Sequence, residues 1–480
     1  MGKGSDKMNK RKSIVSIIVG LIFLLGTLHP VNCYAEENTA NDKVNVVNHN
    51  IRVLIKTTNF AGDYHSRLTI VGTKKLTISN GKKTKTYGAG KKVTIKSNYA
   101  LLKGGKVITI KPKGNGKTKV SSIQRNQGNP TYRGTLTIRY VPGKGLVLVN
   151  QVSVEEYLYS VVGSEMSPGF SEEALKAQAI CARSFAYANM DNSKYASLGA
   201  DLNDSTSYQV YNNCVEDKRV IRAVDATKDI VIKGDDTILE THFFSTSFGV
   251  TALPSELWGG EEEDKFYRRS VQNMEQLTKD LSQNENFTEF LENTPKDVYD
   301  RKMDMYRWSS TVSKTNLQKQ INSKLGLYST IYPTDIKKLQ KDGSYKTVPV
   351  SSVGTLKNVK VVSRTKSGMV KELQIEGSSA TVRVSHATAM RVLMAPVSDV
   401  IKCHTGRALS GYTMLPSSYF AVEKTATGSA MKFIITGGGY GHNVGMSQNG
   451  ANEMAKEGQD YEEILLHYFK NVQIVPVFDE

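Results

Sequence analysis

From Ile51 to about Asn150, hydrophobic and polar residues alternate in short runs. Such runs are Ile51–Ile55, Lys106–Ile110, Thr135–Tyr140 and Leu146–Asn150, and they are separated by Gly, Asn and Lys. Alternation with a period of two is typical of half-buried strands, and the intervening residues are typical of turns. Residues 51–150 are therefore predicted to form a β-rich region.

The next region, residues 151–260, is predicted to be built around one buried helix. Residues 154–162 are apolar and rich in tyrosine, and residues 163–169 have the composition of a turn. Ser171 is the predicted N-cap, with acidic residues in the first turn after it. The helix body, Ala174–Asn189, is rich in alanine. Because small side chains allow close packing, we expect this helix to be buried.

The remainder of the chain alternates between strand-like and helix-like segments. Residues 261–345 are polar and charged with helical stretches, and are predicted to be an insertion or second subdomain. Residues 346–480 return to the first domain. The fold class predicted for the whole is α+β and strand-rich, with a buried Ala-rich helix and a charged helical insertion. The other predicted strands are 229–233, 241–245, 359–362, 373–375 and 432–435, and the last helices are 447–456 and 461–469.

The N-terminus has the pattern of an export signal. Five basic residues lie within residues 3–12, and an uncharged apolar run, Ile14–Leu28, follows them. This predicts a signal peptide over residues 1–35, cleaved after Ala35. The alternative is an uncleaved signal anchor that holds the protein at the membrane. Both interpretations place the rest of the chain outside the cytoplasm, in the cell wall or anchored to the membrane.

Composition excludes several classes of protein. Of the 480 residues, 39% are hydrophobic and 23% are charged, which is globular rather than disordered. Four cysteines are too few for a disulfide scaffold, although one bridge among Cys181, Cys214 and Cys403 would be possible. The histidines, cysteines and acids show no convincing ligand spacing, so we predict no metal and no cofactor.

The positive charge is concentrated in the predicted β-rich region. The chain has a net charge of +17, yet residues 51–150 alone contain 21 Lys and Arg against one acid, Asp63. One interpretation is lysine on strand edges, which deters edge-to-edge pairing. The other is contact with a polyanion. Nucleic acid is disfavoured because the signal segment implies export and no zinc finger or basic helix is present. Anionic wall polymer or lipid headgroups fit better.

Two groups of charged residues near the predicted helix are candidates for chemistry. Glu165 lies in the turn before it, where most glutamates are solvated or cap a helix. Lys176 and Arg183 are seven residues apart and should project on the same side of the helix. They would bind an anion there, or extend to solvent over the helix surface.

A glycine-rich segment near the C-terminus is the third candidate. Residues 437–450 contain six glycines, which demands unusual backbone angles or close backbone approach. Its spacing fits neither a dinucleotide-binding fingerprint nor the turn that carries a hydrolase serine. His442 and Gln448 are the plausible substrate contacts in it.

Several segments, in this order, resemble the SpoIID/LytB family, that of stage II sporulation protein D. The resemblance extends from about Ile51 to the C-terminus. Three long blocks carry it, and shorter ones agree with it. The long blocks are 156–166, 173–183 and 439–448, and the shorter ones are 243–247 with Thr251, 256–258 and 306–308.

This resemblance implies a peptidoglycan lytic transglycosylase that acts on glycan strands without stem peptides. Its expected role is cell-wall remodelling, either in sporulation or in vegetative growth. It identifies Glu165 as the essential acid. The sugar's own C6 hydroxyl is the nucleophile in such a reaction, so one carboxyl suffices where ordinary glycosidases need two. To act as an acid near neutral pH, Glu165 needs a raised pKa, and burial among apolar neighbours would raise it. The substrate-binding residues implied are Lys176, Gln178, Arg183, Tyr440, His442 and Gln448.

The chain departs from the family pattern at two points, and two other functions are also consistent with the sequence. Phe248-Gly249 stands where the family often has paired glycines. Only Cys214 lies where some members carry a zinc site. The LytB branch is associated with enhancing an amidase, so the alternative function is a non-catalytic, wall-binding amidase enhancer. A third is an exported module that binds a polyanion and has no role in the wall.

Overall fold

The structure is a computed structural model that describes residues 50–190, 193–269, 280–293, 298–426 and 430–477. The predicted signal segment, residues 1–35, lies outside these residues. Among the residues described, no helix has the length and apolar character needed to cross a membrane.

The N-terminal region is built from antiparallel strands, and the four strands named from its sequence are confirmed. Leu68 and Ile70 of one sheet and Ile108 and Ile110 of another are fully buried in one core, so alternate residues face inward as the pattern predicts. Its strands are β1 (Asn50–Leu54), β2 (Leu68–Gly72), β3 (Leu76–Ser79), β4 (Thr84–Tyr87), β5 (Lys92–Ile95), β6 (Ile108–Pro112), β7 (Thr118–Val120), β8 (Thr131–Tyr132), β9 (Thr135–Val141) and β10 (Gly145–Ser153).

A mainly helical region follows directly from β10. Its elements are α1 (Val154–Glu165), α2 (Glu172–Ala188), β11 (Leu202–Asn203), α3 (Lys218–Ala226), β12 (Ile230–Gly234), β13 (Thr237–Ile238), β14 (Phe243–Phe244) and α4 (Pro254–Trp258). Twelve residues of α2 are buried, and its neighbours include α1, α3 and β12. The buried Ala-rich helix is therefore confirmed.

The following segment forms a second core of its own. Its elements are α5 (Asn284–Glu292), β15 (Trp308–Ser313), α6 (Lys314–Ile331), β16 (Ile336–Leu339), β17 (Tyr345–Lys346), β18 (Leu356–Arg364), β19 (Val370–Gly377), β20 (Thr381–Val384), α7 (Ala387–Leu393), β21 (Ile401–Cys403), β22 (Ala408–Leu409), β23 (Phe420–Lys424) and β24 (Lys432–Gly437). This second core lies within residues 305–435, whereas Phe287 and Leu291 of α5 are buried in the first core.

The C-terminal segment returns to the first core. Its elements are β25 (Met446–Ser447), α8 (Gln448–Lys456), α9 (Tyr461–Tyr468) and β26 (Val472–Pro476). Both α8 and α9 contact α2, and β26 pairs with β12 along five residues of each strand. The end of the chain thus completes the region around α2.

The strands form several sheets, so the predicted strand-rich α+β class is confirmed. The N-terminal region contains a seven-stranded sheet, β11-β1-β10-β9-β6-β3-β4, and a four-stranded sheet, β5-β2-β7-β8. The second core contains β22-β21-β15-β24-β23 and β17-β16-β20-β19-β18. The helical region adds β13-β12-β26 and the short pair β14-β25.

Two local predictions differ from the structure. The turn expected at residues 163–169 begins later, because α1 continues through Gly163 to Glu165 and ends where Met166 is extended. Ser171 occupies the predicted N-cap position, but its side chain makes no capping hydrogen bond. Its backbone N–H instead donates to Asn452 Oδ1 at 2.8 Å, which ties the start of α2 to α8.

Candidate active site

Glu165 is the last residue of α1. That helix begins at the Ser153 cap, whose side chain accepts from the Glu156 N–H, and it buries Tyr157, Val161 and Val162 against the core. The apolar face therefore fixes the direction of the helix and places Glu165 at its C-terminal end. The negative end of the helix dipole lies there and disfavours a charged carboxylate.

The Glu165 carboxyl group is held in a dry environment. Val210 N donates a 2.7 Å hydrogen bond to Oε1, and the Gln448 side chain contributes a second hydrogen bond. Burial raises the pKa of Glu165 to about 7, and these two hydrogen bonds limit the rise. The residue as a whole is only partly buried, so one side of it remains accessible. Near neutral pH this group is poised both to give and to take a proton.

Two glutamine side chains meet beside Glu165. Gln448 is the first residue of α8, and its Nε2 lies 3.4 Å from Oε1 of Gln178, a fully buried residue of α2. Nε2 of Gln178 has no hydrogen-bond partner among the described residues. The structure thus brings together three of the residues predicted for the site, and it leaves an unused amide donor next to the acid.

The glycine-rich loop after β24 places Gln448 by packing closely on residues 242–252 and on Tyr306. Gly445 has φ of +77°, and a Cβ there would lie 2.1 Å from the His242 carbonyl oxygen. A Cβ on Gly438 would lie 2.6 Å from the Tyr306 carbonyl oxygen. The close backbone approach inferred from the glycines is therefore present, since no larger residue fits at these two positions.

His442 lies in this loop among other aromatic rings. Its Nδ1 accepts from the Val444 N–H at 3.1 Å, and burial lowers its pKa to about 4. The ring is therefore neutral near pH 7. Its centroid is 5.5 Å from that of Trp258 and 6.1 Å from that of His242. The histidine supports an aromatic surface and is not a cation.

That aromatic surface continues toward the acid. Trp258 is 51% exposed, and its ring centroid is 4.4 Å from that of His242. His242 is next to Phe185 at 6.1 Å, and Phe185 is next to Tyr208 at 6.4 Å. Tyr208 is two residues from Val210, which donates to Glu165. Trp258 lies in the short family block 256–258, and no sequence pattern indicates its place on this surface.

The other predicted site residues lie elsewhere. Lys176 forms a 2.7 Å ion pair with Glu173 beside α9. Arg183 is fully buried, and its guanidinium binds both carboxylate oxygens of Glu155 at 2.8 and 2.7 Å. Tyr440 packs against the second core. No contact joins these three residues to Glu165 among the described residues, and the two cations pair with different acids.

Asp300 is a residue of the site that no local sequence pattern indicates. It is fully buried, and its Oδ1 accepts from the Ser447 Oγ–H at 2.7 Å and from the Ser247 N–H at 3.0 Å. Burial raises the pKa of Asp300 to about 7. Ser447 Oγ in turn accepts from the Gly450 N–H as the N-cap of α8. Asp300 thus fixes the start of the helix that carries Gln448.

The described residues contain no group of three or more His, Cys, Asp or Glu side chains arranged to hold a metal. Cys181, Cys214 and Cys403 are free thiols, and the first and last are buried. The predicted absence of a metal stays a prediction.

Comparison with known proteins agrees with the resemblance. Residues 142–233 match the family model of SpoIID, described as stage II sporulation protein, and residues 254–445 match a domain of unknown function, DUF8618. The first match contains Glu165, Gln178 and Val210, and the second contains Asp300. Gln448 lies beyond both, so the site combines segments from different parts of the chain.

Three relatives are 25% to 27% identical in sequence to this chain. Stage II sporulation protein D of Bacillus subtilis is 26% identical over 372 residues, which cover 75% of this chain and 84% of that protein. The amidase enhancer of Bacillus subtilis is 25% identical over 327 residues, covering 65% of this chain and only 39% of the enhancer. An uncharacterized protein of Brachyspira hyodysenteriae is 27% identical over 332 residues, covering 69% and 68%. Residues 142–233 therefore match a SpoIID domain, and the similarity to these relatives extends over more of the chain than that domain.

Proposed function

We propose that this protein is a peptidoglycan lytic transglycosylase with Glu165 as its general acid and base. The observation that carries the proposal is the buried carboxyl at the end of α1, whose pKa is raised to about 7 beside the Val210 N–H and Gln448. The family match and the relatives named stage II sporulation protein D support a role in the cell wall, outside the cytoplasm and during sporulation.

The reaction needs only one carboxyl group. Protonated Glu165 gives its proton to the glycosidic oxygen as the bond from that oxygen to C1 of the muramic acid breaks. The carboxylate then takes the proton of the C6 hydroxyl as that oxygen bonds to C1, closing the 1,6-anhydro ring. No water is consumed, and Glu165 ends protonated as it began. Because the nucleophile belongs to the sugar, its delivery is intramolecular and strongly favoured.

The neighbouring groups suit a neutral polysaccharide. Trp258, whose side chain is 51% exposed, offers flat apolar area at the outer end of the aromatic surface. Pockets for such ligands combine apolar walls with a few polar groups. Peptidoglycan glycan strands without stem peptides are the substrate we assign.

The second candidate is a non-catalytic enhancer of a wall amidase. It is favoured by one specific observation, the relative named amidase enhancer, of which the alignment covers 39%. The two functions differ in what the protein does alone. A transglycosylase makes anhydromuramyl ends by itself, whereas an enhancer increases peptide release only when an amidase is present.

The test is product analysis on glycan strands from amidase-treated wall, with untreated wall in parallel. We expect the wild type to release 1,6-anhydro products and Glu165→Gln to be about 10²- to 10⁴-fold slower, the usual contribution of general acid–base catalysis. Glu172→Gln is the matched control, because Glu172 has a side chain 56% exposed in the first turn of α2. Full activity of Glu165→Gln, or no anhydro product from the wild type, would refute the assignment.

A further inference from the structure

The loops at one end of the two N-terminal sheets form one continuous surface. Thr73 N donates to Lys117 O, Gly90 N donates to Gly72 O, and Lys113 N donates to Lys75 O, each at 2.9 Å. These bonds join loops that connect strands of both sheets. A surface that is dispersed in the sequence is therefore contiguous in the structure.

Five exposed lysines lie on this surface, which we call the lysine end: Lys74, Lys75, Lys91, Lys92 and Lys113. None of them forms an ion pair with a described residue, and Lys74 only donates to Asn115. Asp63, the one acid within residues 51–150, pairs with Lys56 at 2.6 Å. The lysine end is therefore positive and is not neutralised by the described part of the chain.

The register brings further cations close to it. Lys92 and Lys119 both lie opposite Val71 across β2, two strand spacings or about 10 Å apart. This separation is close to the distance of about 8 Å over which physiological salt screens a charge. Repulsion between these two lysines is therefore largely screened, so the lysine end acts through the number of its charges, which suits a ligand with repeated negative charges.

The lysine end also borders the domain that carries Glu165. Lys117 pairs with Glu216 at 2.8 Å, Glu216 pairs with Arg133 at 2.7 Å, and Arg133 reaches Glu156 of α1 at 3.2 Å. A polymer held at the lysine end would therefore be next to the proposed glycan-cleaving domain.

We infer that the lysine end binds an anionic wall polymer, a chain with repeated phosphodiester groups. The charges are spread over several loops, which suits a flexible polyanion better than a compact ion. A lipid surface is disfavoured because the lysine end presents none of the large apolar side chains exposed in the described chain, and Val107 is outside its loops. The inference does not depend on the proposed catalysis.

The experiment compares two variants that lose the same charge. One replaces the five lysines of the lysine end by Gln. The control replaces five other exposed lysines by Gln: Lys82, Lys83, Lys96, Lys103 and Lys106. The first two lie in the turn after β3, and the other three lie between β5 and β6. These two segments are neighbours, because Asn80 Nδ2 donates to Leu101 O. With poly(glycerol phosphate) as probe, we expect Kd to rise about tenfold or more for the first variant and less than about threefold for the control.

Three outcomes would overturn the inference. Equal weakening in both variants would mean that net charge alone attracts the polymer, and no weakening in either would mean that it binds elsewhere. Binding to phosphatidylglycerol vesicles that needs the lysine end, without binding to the polymer, would identify a membrane surface instead.

Two controls accompany the experiment. Circular dichroism tests whether the variants fold. If the fivefold variant does not fold, the single variants Lys75→Glu and Lys92→Glu replace it. Glu165→Gln should bind the polymer normally, which separates this result from the catalytic one.

Discussion

The surroundings of Glu165 and the lysine end use charge in opposite ways. Around Glu165 a carboxyl is buried, and the removal of water brings its pKa to about 7. At the lysine end, five cations are exposed without ion-pair partners among the described residues. A buried group changes the protonation of one site, whereas exposed groups act through their number and mutual distance. The functions we propose for the two sites differ accordingly, proton transfer at Glu165 and attachment to a polymer at the lysine end.

The largest effect on stability is expected from Arg183→Met. Removing this guanidinium leaves Glu155 without its ion-pair partner and takes one donor each from the carbonyl oxygens of Val224 and Ile230. Breaking a buried pair from one side costs about 3–5 kcal/mol. Urea unfolding at pH 7 measures it. Lys176→Met is the control and should cost less than about 1 kcal/mol, because its ion pair is partly exposed. Unchanged stability with a raised KM would instead show that Arg183 contacts substrate.

The next prediction concerns the cost of keeping Glu165 buried. Its pKa is raised from 4.5 to about 7, so its protonated form is favoured by folding, and the stability it contributes is lost as pH rises through this range. Glu165→Gln should match the wild type in unfolding free energy near pH 4 and exceed it by up to about 3 kcal/mol above pH 8. Urea unfolding across pH checks this. A constant difference at all pH values would contradict the raised pKa.

Asp300 tests whether the start of α8 positions Gln448. Asp300→Ala leaves the Ser447 hydroxyl and the Ser247 N–H without their acceptor, which should lower the unfolding free energy by about 1–3 kcal/mol. We expect kcat for glycan cleavage to fall as well. Asp300→Asn keeps an oxygen acceptor at that point and should recover most of kcat. If Asn fails to rescue while both variants remain folded, the negative charge of Asp300 matters rather than its hydrogen bonds.

The smallest effect is expected at Trp258, at the exposed end of the aromatic surface. Trp258→Ala should raise KM for glycan about five- to tenfold with little change in kcat, a loss of about 1 kcal/mol of binding. Leu466→Ala is the control, because Leu466 is similarly exposed, at 45%, on α9. Steady-state kinetics separates the two constants. An equal change in both variants would remove Trp258 from the binding surface.

Local patterns predicted much of the fold. The β-rich region and α2 follow from alternation and from alanine content, and both are confirmed. β15 was not predicted, because it lies in a polar segment and its inward Ser310 interrupts the apolar alternation. That hydroxyl is buried and donates to the Val400 carbonyl at 2.8 Å. A buried polar residue that finds a partner far along the chain leaves no local signal.

The site was predictable in its residue types and only partly in its geometry. Glu165, Gln178 and Gln448 were named from sequence, but nothing local indicates that residues 178 and 448 meet. Lys176 and Arg183 were placed on one face by helical spacing alone, whereas the structure pairs them with different acids. No sequence pattern distinguishes Asp300 from the other charged residues of its segment. Position in space depends on tertiary packing, which helical periodicity does not specify.

The pairing of β26 with β12 sets when this protein can fold. These strands are more than 200 residues apart, and α8 and α9, which cover α2, precede β26 directly. Contacts of such long range form slowly, because a long loop must close before they contribute. The region around α2 therefore assembles only after β26 has been synthesised, so a nascent chain that lacks α8, α9 and β26 also lacks the Gln448 contact to Glu165.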